Sequence, residues 1–326
     1  MNSIALCKNN EERWLPGLTC LVFSALFLLW AASFSNAQDI PQQSFLSPEE
    51  AVTSLVTAVR ADDLEEMLAI LGPGSRELIF SGDDVADRTG REKFLKAYDR
   101  MNMLQKVTAD KVTLSIGEDN WPLPIPIVKT GEKKWIFDTE QGKQEILNRR
   151  IGRNELHVME VLHAYTDAQH EYASKDCGGG GLVEFAQKLI SIQGKRDGLY
   201  WEVKKGEKES PLGPLVARAA KEGYADADLQ PFHGYYYKIL KGQGKHAQGG
   251  AYDYVVKGKM ILGFALVAYP AEYGNSGVMT FIVNQEGIIY EKDLGVNTAH
   301  TAENMKIFDP DKTWRKVEET LPESAS

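Results

Sequence analysis

The chain has 326 residues, of which 43% are hydrophobic and 25% charged. That apolar share is too high for a disordered chain, and 29 Gly, 13 Pro and 3 Cys exclude a collagen-like or disulfide-dense protein. A net charge of −9 lacks the basic footprint of a non-specific nucleic-acid binder, so no nucleic-acid partner is expected.

Leu15 to Ala32 is an almost unbroken apolar run, followed by Ser35-Asn36-Ala37 with small residues three and one before a cut. This is the layout of a signal peptide over residues 1–37, and it places the mature protein in the periplasm or outside the cell. No membrane span remains after such a cut. The alternative is an uncleaved N-terminal anchor, since the run is nearly long enough to cross a bilayer. Cleavage removes Cys7 and Cys20 and leaves Cys177 as the single thiol, so stability must come from a core rather than from disulfides. Lys8 and Arg13 leave together with Glu11 and Glu12, and the net charge is unchanged.

Residues 38–46 read as a flexible arm. Ser47-Pro48-Glu49-Glu50 then opens a helix: Ser47 caps, Pro48 suits the first helical position and Glu50 completes a capping box. Val52, Leu55, Val56 and Val59 form one helical face. Asp62 or Asp63 starts a second short helix that Gly72 stops. Thr89 with Glu92 reads as a third capping box, with Phe94, Leu95, Tyr98 and Met101 or Leu104 buried behind it.

The period then changes to that of strands. Val112, Leu114 and Ile116 alternate with polar residues. Next, Pro122, Pro124 and Pro126 remove donors from one side of the Trp121–Val128 segment, which predicts an edge strand blocked on its open side. A polyproline II segment is the alternative. Lys133 to Asp138 is a further strand, closing an α+β domain over 47–140.

A basic helix over 141–153, carrying Lys143, Arg149, Arg150 and Arg153 and interrupted by Gly152, reads as the connection to a second domain at 154–317. The bland account of these arginines is a solvated helix end whose cations complement the dipole. A long helix from Asn154 to Ser174 buries Leu156, Met159, Leu162, Tyr165 and Tyr172, and a shorter one is expected at Leu182 to Ile190. Residues 194–234 form an irregular excursion, a length more often functional than casual. Antiparallel strands follow at 234–240, 251–256, 261–268, 277–283 and 287–291, with turns at Lys257-Gly258-Lys259 and at 284–287. Met305 and Trp314 close the fold, and 318–326 is an acidic tail.

No motif identifies a reaction. Glu160, His163, Asp167 and His170 share one helix face, but no second His/Cys cluster accompanies them, so a solvated face is expected and no metal. Asp176 and Glu184 are too few acids for a calcium loop. Gly242-Gln243-Gly244-Lys245-His246-Ala247 has the glycine spacing of a dinucleotide loop but leads into a strand, so it reads as a hairpin loop and no cofactor is expected. Ser276 sits in a turn, not a nucleophile elbow. Cys177 lacks a neighbouring His in sequence.

The compositional candidate is a cluster of His233, Tyr235, Tyr236, Tyr237, Tyr252, Asp253, Tyr254, Tyr269, Glu272 and Tyr273. Tyr enriches at binding faces, although alternate members on a strand can equally be core.

Several strings occur together: Ser47-Pro48-Glu49-Glu50-Ala51, Trp121-Pro122-Leu123-Pro124-Ile125-Pro126, Ile151-Gly152-Arg153-Asn154-Glu155-Leu156, Lys195-Arg196-Asp197-Gly198-Leu199-Tyr200-Trp201 and Gly249-Gly250-Ala251-Tyr252-Asp253-Tyr254. Their order and wording resemble the bacterial exported family known as domain of unknown function 2950, over about residues 45–317. That family carries no established activity. At fold level, 47–138 resembles a cone of the nuclear-transport-factor type, and the second half resembles the head of type IV pilins and pseudopilins. Neither likeness transfers a function.

The expected architecture is therefore α+β. N-terminal helices and a small antiparallel meander precede a long helix packed on a C-terminal antiparallel sheet. The expected function is a non-enzymatic binding or envelope-assembly module. Its partner would be a protein or an envelope component, met by the Tyr-rich face and the 194–234 excursion. The alternative is a hydrolase of an envelope polymer using His233 with Asp253 or Glu272, which requires those groups to converge in a cleft.

Overall fold

The computed structural model describes residues 41–174, 183–204, 206–224 and 230–318. The segment expected to be a signal peptide, Asp176, Cys177 with the four glycines after it, and the end of the acidic tail lie outside the described residues. The fold is mixed α+β, with the long helix followed by an antiparallel sheet as expected.

The first layer is helical. Helix α1 spans Pro48–Ala61, α2 Leu64–Leu71, α3 Arg76–Ile79 and α4 Asp84–Arg100. Ser47 accepts the Glu50 amide at 3.1 Å, and the Glu50 carboxylate reaches back to the Leu46 amide at 2.7 Å. Asp63 caps α2 and Gly72 ends it. Helix α4 begins earlier than the Thr89 box suggests. Asp83 caps it by accepting the Ala86 amide at 2.9 Å, a stronger start than Thr89 because its carboxylate also finds donors elsewhere. Its end is earlier too, so Leu104 lies not on a helix but in strand β1.

Strands β1 (Asn102–Thr108), β2 (Lys111–Ile116), β3 (Trp121–Pro122), β4 (Ile127–Lys129) and β5 (Trp135–Phe137) form the first sheet, ordered β1-β2-β4-β5 with β3 also on β2. The proline segment is not an edge strand. Its prolines split it into β3 and β4, and the register on β2 slips between Ser115↔Pro122 and Val112↔Ile127. After the bulge, β4 is paired on both sides, because the Ile127 and Val128 positions carry no proline. Leu114, Ile116, Ile125, Ile127 and Phe137 face the helices and build a core with Val52, Leu55, Val56 and Ile70.

Helix α5 runs unbroken from Thr139 to Ser174. It passes through Gly152, so the basic stretch is not a helix end and no dipole accounts for it. Gly142 lets it lie on the proline segment: a Cβ there would come within 2.6 Å of the Pro124–Ile125 backbone. Further along, Val158, Leu162, Tyr165, Ala168 and Tyr172 enter a second core. Leu156, expected inside, is 61% exposed, because the buried register of α5 runs through Val158 and Val161.

No helix forms at 183–190; this stretch is extended, with Phe185 bridged to Met260 and Ile190 to Tyr200. Within the expected irregular excursion, Gly213–Glu222 forms helix α6, ended by Gly223 at φ 101°. Then come β6 (Tyr235–Leu240), β7 (Gly242–Gln243), β8 (Tyr252–Asp253), β9 (Val255–Val256), β10 (Lys259–Met260), β11 (Ala265–Pro270), β12 (Met279–Asn284) and β13 (Tyr290–Asp293). Helix α7 (Thr298–Asn304) and β14 (Arg315–Lys316) follow. The second sheet is ordered β14-β13-β12-β11-β6 and is antiparallel throughout. Its β11 is buried at every position, with α7 packed on it and α5 packed on the adjacent β12. Lys257 and Gly258, both at positive φ, turn the β9–β10 hairpin as a two-residue loop. No helix among the described residues is long and apolar enough to cross a membrane.

Candidate functional site

The tyrosines picked from sequence divide between core and surface. Tyr235 and Tyr254 are fully buried; their hydroxyls bond to the Met279 carbonyl at 3.0 Å and the Gln243 side chain at 3.1 Å. Burial pushes both phenols above their ordinary value, and neither can present a face to a partner. The Tyr237 hydroxyl is also buried. Tyr236 and Tyr269 pack against one another, tilted, with ring centroids 5.6 Å apart, half-buried and buried respectively. Tyr252 is half-buried and Asp253 exposed, paired with Gly242 in the short β7–β8 ribbon. Alternation on β6 fails as a guide because the sheet is covered on both faces.

His233 does not pair with Asp253 or Glu272. Its Nε2 lies 3.2 Å from the Glu222 carboxylate at the end of α6, and its ring packs, tilted, against His157 with centroids 4.3 Å apart. Glu272 is exposed and accepts from Asn275 within its own turn. Ser276 is buried there, exchanging hydrogen bonds with the Glu272 backbone, as a turn residue does. Gly244 packs on Asp309, which also holds His246; Gly242 and Gln243 form strand β7, and the rest of the glycine-rich stretch loops on to β8. On α5, Glu160 pairs with Arg218 and His170 packs edge-on to Phe264. Glu184 pairs with Lys259. No group of three or more His, Cys, Asp or Glu side chains among the described residues could hold a metal ion.

A polar seam joins the two cores. Asp83, buried, accepts from the Gly234 amide at 2.8 Å and from the Tyr224 hydroxyl at 2.9 Å. Asn154 donates to the Ser276 carbonyl at 2.8 Å. Arg150 donates to the carbonyls of Glu77 at 2.7 Å and Leu78 at 2.6 Å and to the side chain of Asn275. Burial lowers the Arg150 guanidinium from its ordinary value, and the Asp87 carboxylate opposes this. Asp87 itself is raised by burial, while the Ser81 amide, 2.8 Å away, holds it down. Sequence reasoning missed Asp83, Asp87 and Tyr224; the partners that Asp83 and Tyr224 find across the seam lie some 140–150 positions away, and nothing in the spacing of Asp87 signals that it faces Arg150.

Beside the seam, between the first helices, the first sheet and α5, lies a cavity of about 490 Å³. Leu55, Val59, Met67, Leu71, Ile79 and Ile125 form its apolar floor. Its polar lining is concentrated on α4 and α5: Asp87, Arg91, Lys93, Arg149, Arg150 and Arg153. Trp121, 40% exposed, belongs to the lining and lies under the Arg149 guanidinium at 5.1 Å. The size falls in the roughly 300–1,000 Å³ range of small-molecule sites, as does the combination of apolar walls with a few charged groups. A second hollow of similar volume, near Phe185, is lined in part by paired charges, Lys188 with Asp197 at 2.7 Å and Glu184 with Lys259 at 2.9 Å.

Residues 42–317 match the family described as protein of unknown function, DUF2950. Comparisons with curated proteins and with solved structures find no match, so no solved structure supports the likeness to pilin heads.

Proposed function

We propose, for a chain that belongs to the DUF2950 family of proteins of unknown function, that it is an exported, non-enzymatic binding module whose ligand is a small, mainly apolar molecule held in the cavity between α1, α2, α4 and the first sheet. The cavity carries this reading. It combines an apolar floor with charged groups confined to two helices, an arrangement that orients a ligand. Export is read from the apolar run and the Ser35-Asn36-Ala37 cut. A hydrolase loses its support in the contacts of His233, which is committed to Glu222 and His157. An acid and a base converging on a bound substrate would instead need both groups within hydrogen-bond reach of it.

The test is substitution of the floor. Leu55→Trp or Ile79→Trp fills the cavity without adding charge. Either variant is expected to abolish saturable binding of apolar ligands, measured by calorimetry on folded protein. Unchanged binding would remove the cavity from the reading.

A further inference from the structure

We infer that the cavity ligand is a single-chain amphiphile with an anionic head, the chain lying on the Leu55–Ile125 floor and the head held by Lys93 and Arg153. This rests on the reading of the cavity as a binding site. Five cations line the cavity against one carboxylate, in a protein whose net charge is −9. Three of the five have other roles. Arg91 pairs with Asp62 at 2.9 Å, Arg149 pairs with Glu145 at 2.6 Å and covers Trp121, and Arg150 spends its donors on Glu77, Leu78 and Asn275. Lys93 and Arg153 form no hydrogen bond or ion pair among the described residues, and both are exposed on the side chains that reach the cavity.

Their placement costs the free protein something. Arg149 and Arg153 are four residues apart on one helix, a like-charge spacing that is destabilising. Because α5 continues for a further twenty or so residues, no helix C-terminus offsets that repulsion. An anion between Lys93 and Arg153 does. A neutral apolar molecule fills the floor but leaves the repulsion in place, and a cationic one adds to it. An anion without a chain forfeits the floor.

The experiment titrates the purified protein by calorimetry, below micelle-forming concentrations, with dodecanoate, dodecyl phosphate, 1-dodecanol, dodecylamine and acetate. Dodecanoate or dodecyl phosphate is expected to bind at least tenfold more tightly than dodecanol, with acetate and dodecylamine weaker still. The stronger of the two acids identifies the head as carboxylate or phosphate. The Lys93→Gln/Arg153→Gln double variant, which removes no hydrogen bond or ion pair among the described residues, is expected to melt no lower than the parent and to keep its affinity for dodecanol. It should lose about tenfold for the acid, and the preference in the parent protein should shrink at high salt. Equal binding of acid and alcohol, or an unaffected double variant, overturns the anionic head and leaves the cavity reading standing. Absence of binding by every chain-bearing probe overturns the cavity reading itself.

Discussion

The Asp83 carboxylate and the Gly234 backbone amide are 2.8 Å apart although 151 positions separate them in the chain. One Asp83 oxygen caps α4, and the other takes both Gly234 and the Tyr224 hydroxyl. Gly234 has φ 77°, and a Cβ on it would meet the Asn154 side chain at 2.6 Å. A single buried side chain thus starts a helix and anchors the entry to β6.

Asp83→Ala is expected to be among the most destabilising substitutions. It loses a helix cap, about 1 kcal/mol, and strands two buried donors at about 1–3 kcal/mol each. The total should be at least about 2–4 kcal/mol after relaxation, read as a fall in the denaturant midpoint. Tyr224→Phe removes one of the donors together with its need, leaves unmade only the longer bond from the His233 amide at 3.3 Å, and should cost less. If the two variants proved equal, the Gly234 amide and the cap would carry no weight.

Much of this architecture was legible in the sequence wherever a signal was local. Ser47 and Asp63 cap as their types suggest, and Lys257-Gly258 turns a hairpin. The three prolines predict an edge strand, but donor loss says nothing about which side a neighbour pairs on, and β4 is paired on both. Asp83 escaped notice because Thr89 with Glu92 imitates a cap, whereas its own second role depends on residues some 140–150 positions away. The tyrosines misled because period-two alternation assumes a sheet with one wet face, and β11 is covered on both. The arginines at 149–153 seemed explained by a helix terminus that the continuous α5 does not have.

Two glycines of α5 should respond to alanine with opposite signs. At Gly152 a Cβ meets nothing within 4 Å, so Gly152→Ala is expected to stabilise by about 0.5–1 kcal/mol through helix propensity. The same propensity gain applies at Gly142. There the Cβ would press to 2.6 Å on the backbone of Pro124 and Ile125, which cannot swing aside like a side chain. Steric cost wins, and Gly142→Ala is expected to lower stability by about 1–3 kcal/mol, a common cost of overpacking. It should also disturb the cavity, which Ile125 lines. Thermal melts of the two variants side by side decide it; a shared sign would contradict the close approach of α5 to the proline segment.

Arg150→Lys should not behave as a conservative change. Lys keeps the charge but loses the planar fork that serves two carbonyls of the α3 region and Asn275 together. At least one of those acceptors loses its donor, and a loss of about 1–3 kcal/mol is expected. Arg150→Met, which also removes the charge, should cost more because Asp87 then lacks its cation. Denaturant unfolding at neutral pH measures both, and a Lys variant as stable as the parent would show that charge alone suffices.

Stability should fall as the solution is acidified below neutrality. Burial pushes His233 down to about 3, and His157, Arg218, Arg153 and Lys93 act in the same direction. Glu222, 3.2 Å away, opposes this, but its side chain is 35% exposed and its field is screened. In the unfolded chain the same imidazole takes up a proton near pH 6.5. Between these values the unfolded state binds more protons than the folded one. The contribution of His233 is therefore complete above about pH 6.5 and is lost progressively toward pH 3. His157 is lowered too, chiefly by burial, and adds to the same slope. Asp87 is raised by burial and works in the opposite sense, but closer to the carboxylate range. The denaturant midpoint is expected to drop from pH 7 to pH 5 in the parent protein and to drop less in His233→Gln, whose amide has no proton to gain. Parallel slopes in the two proteins would assign the acid sensitivity to other groups.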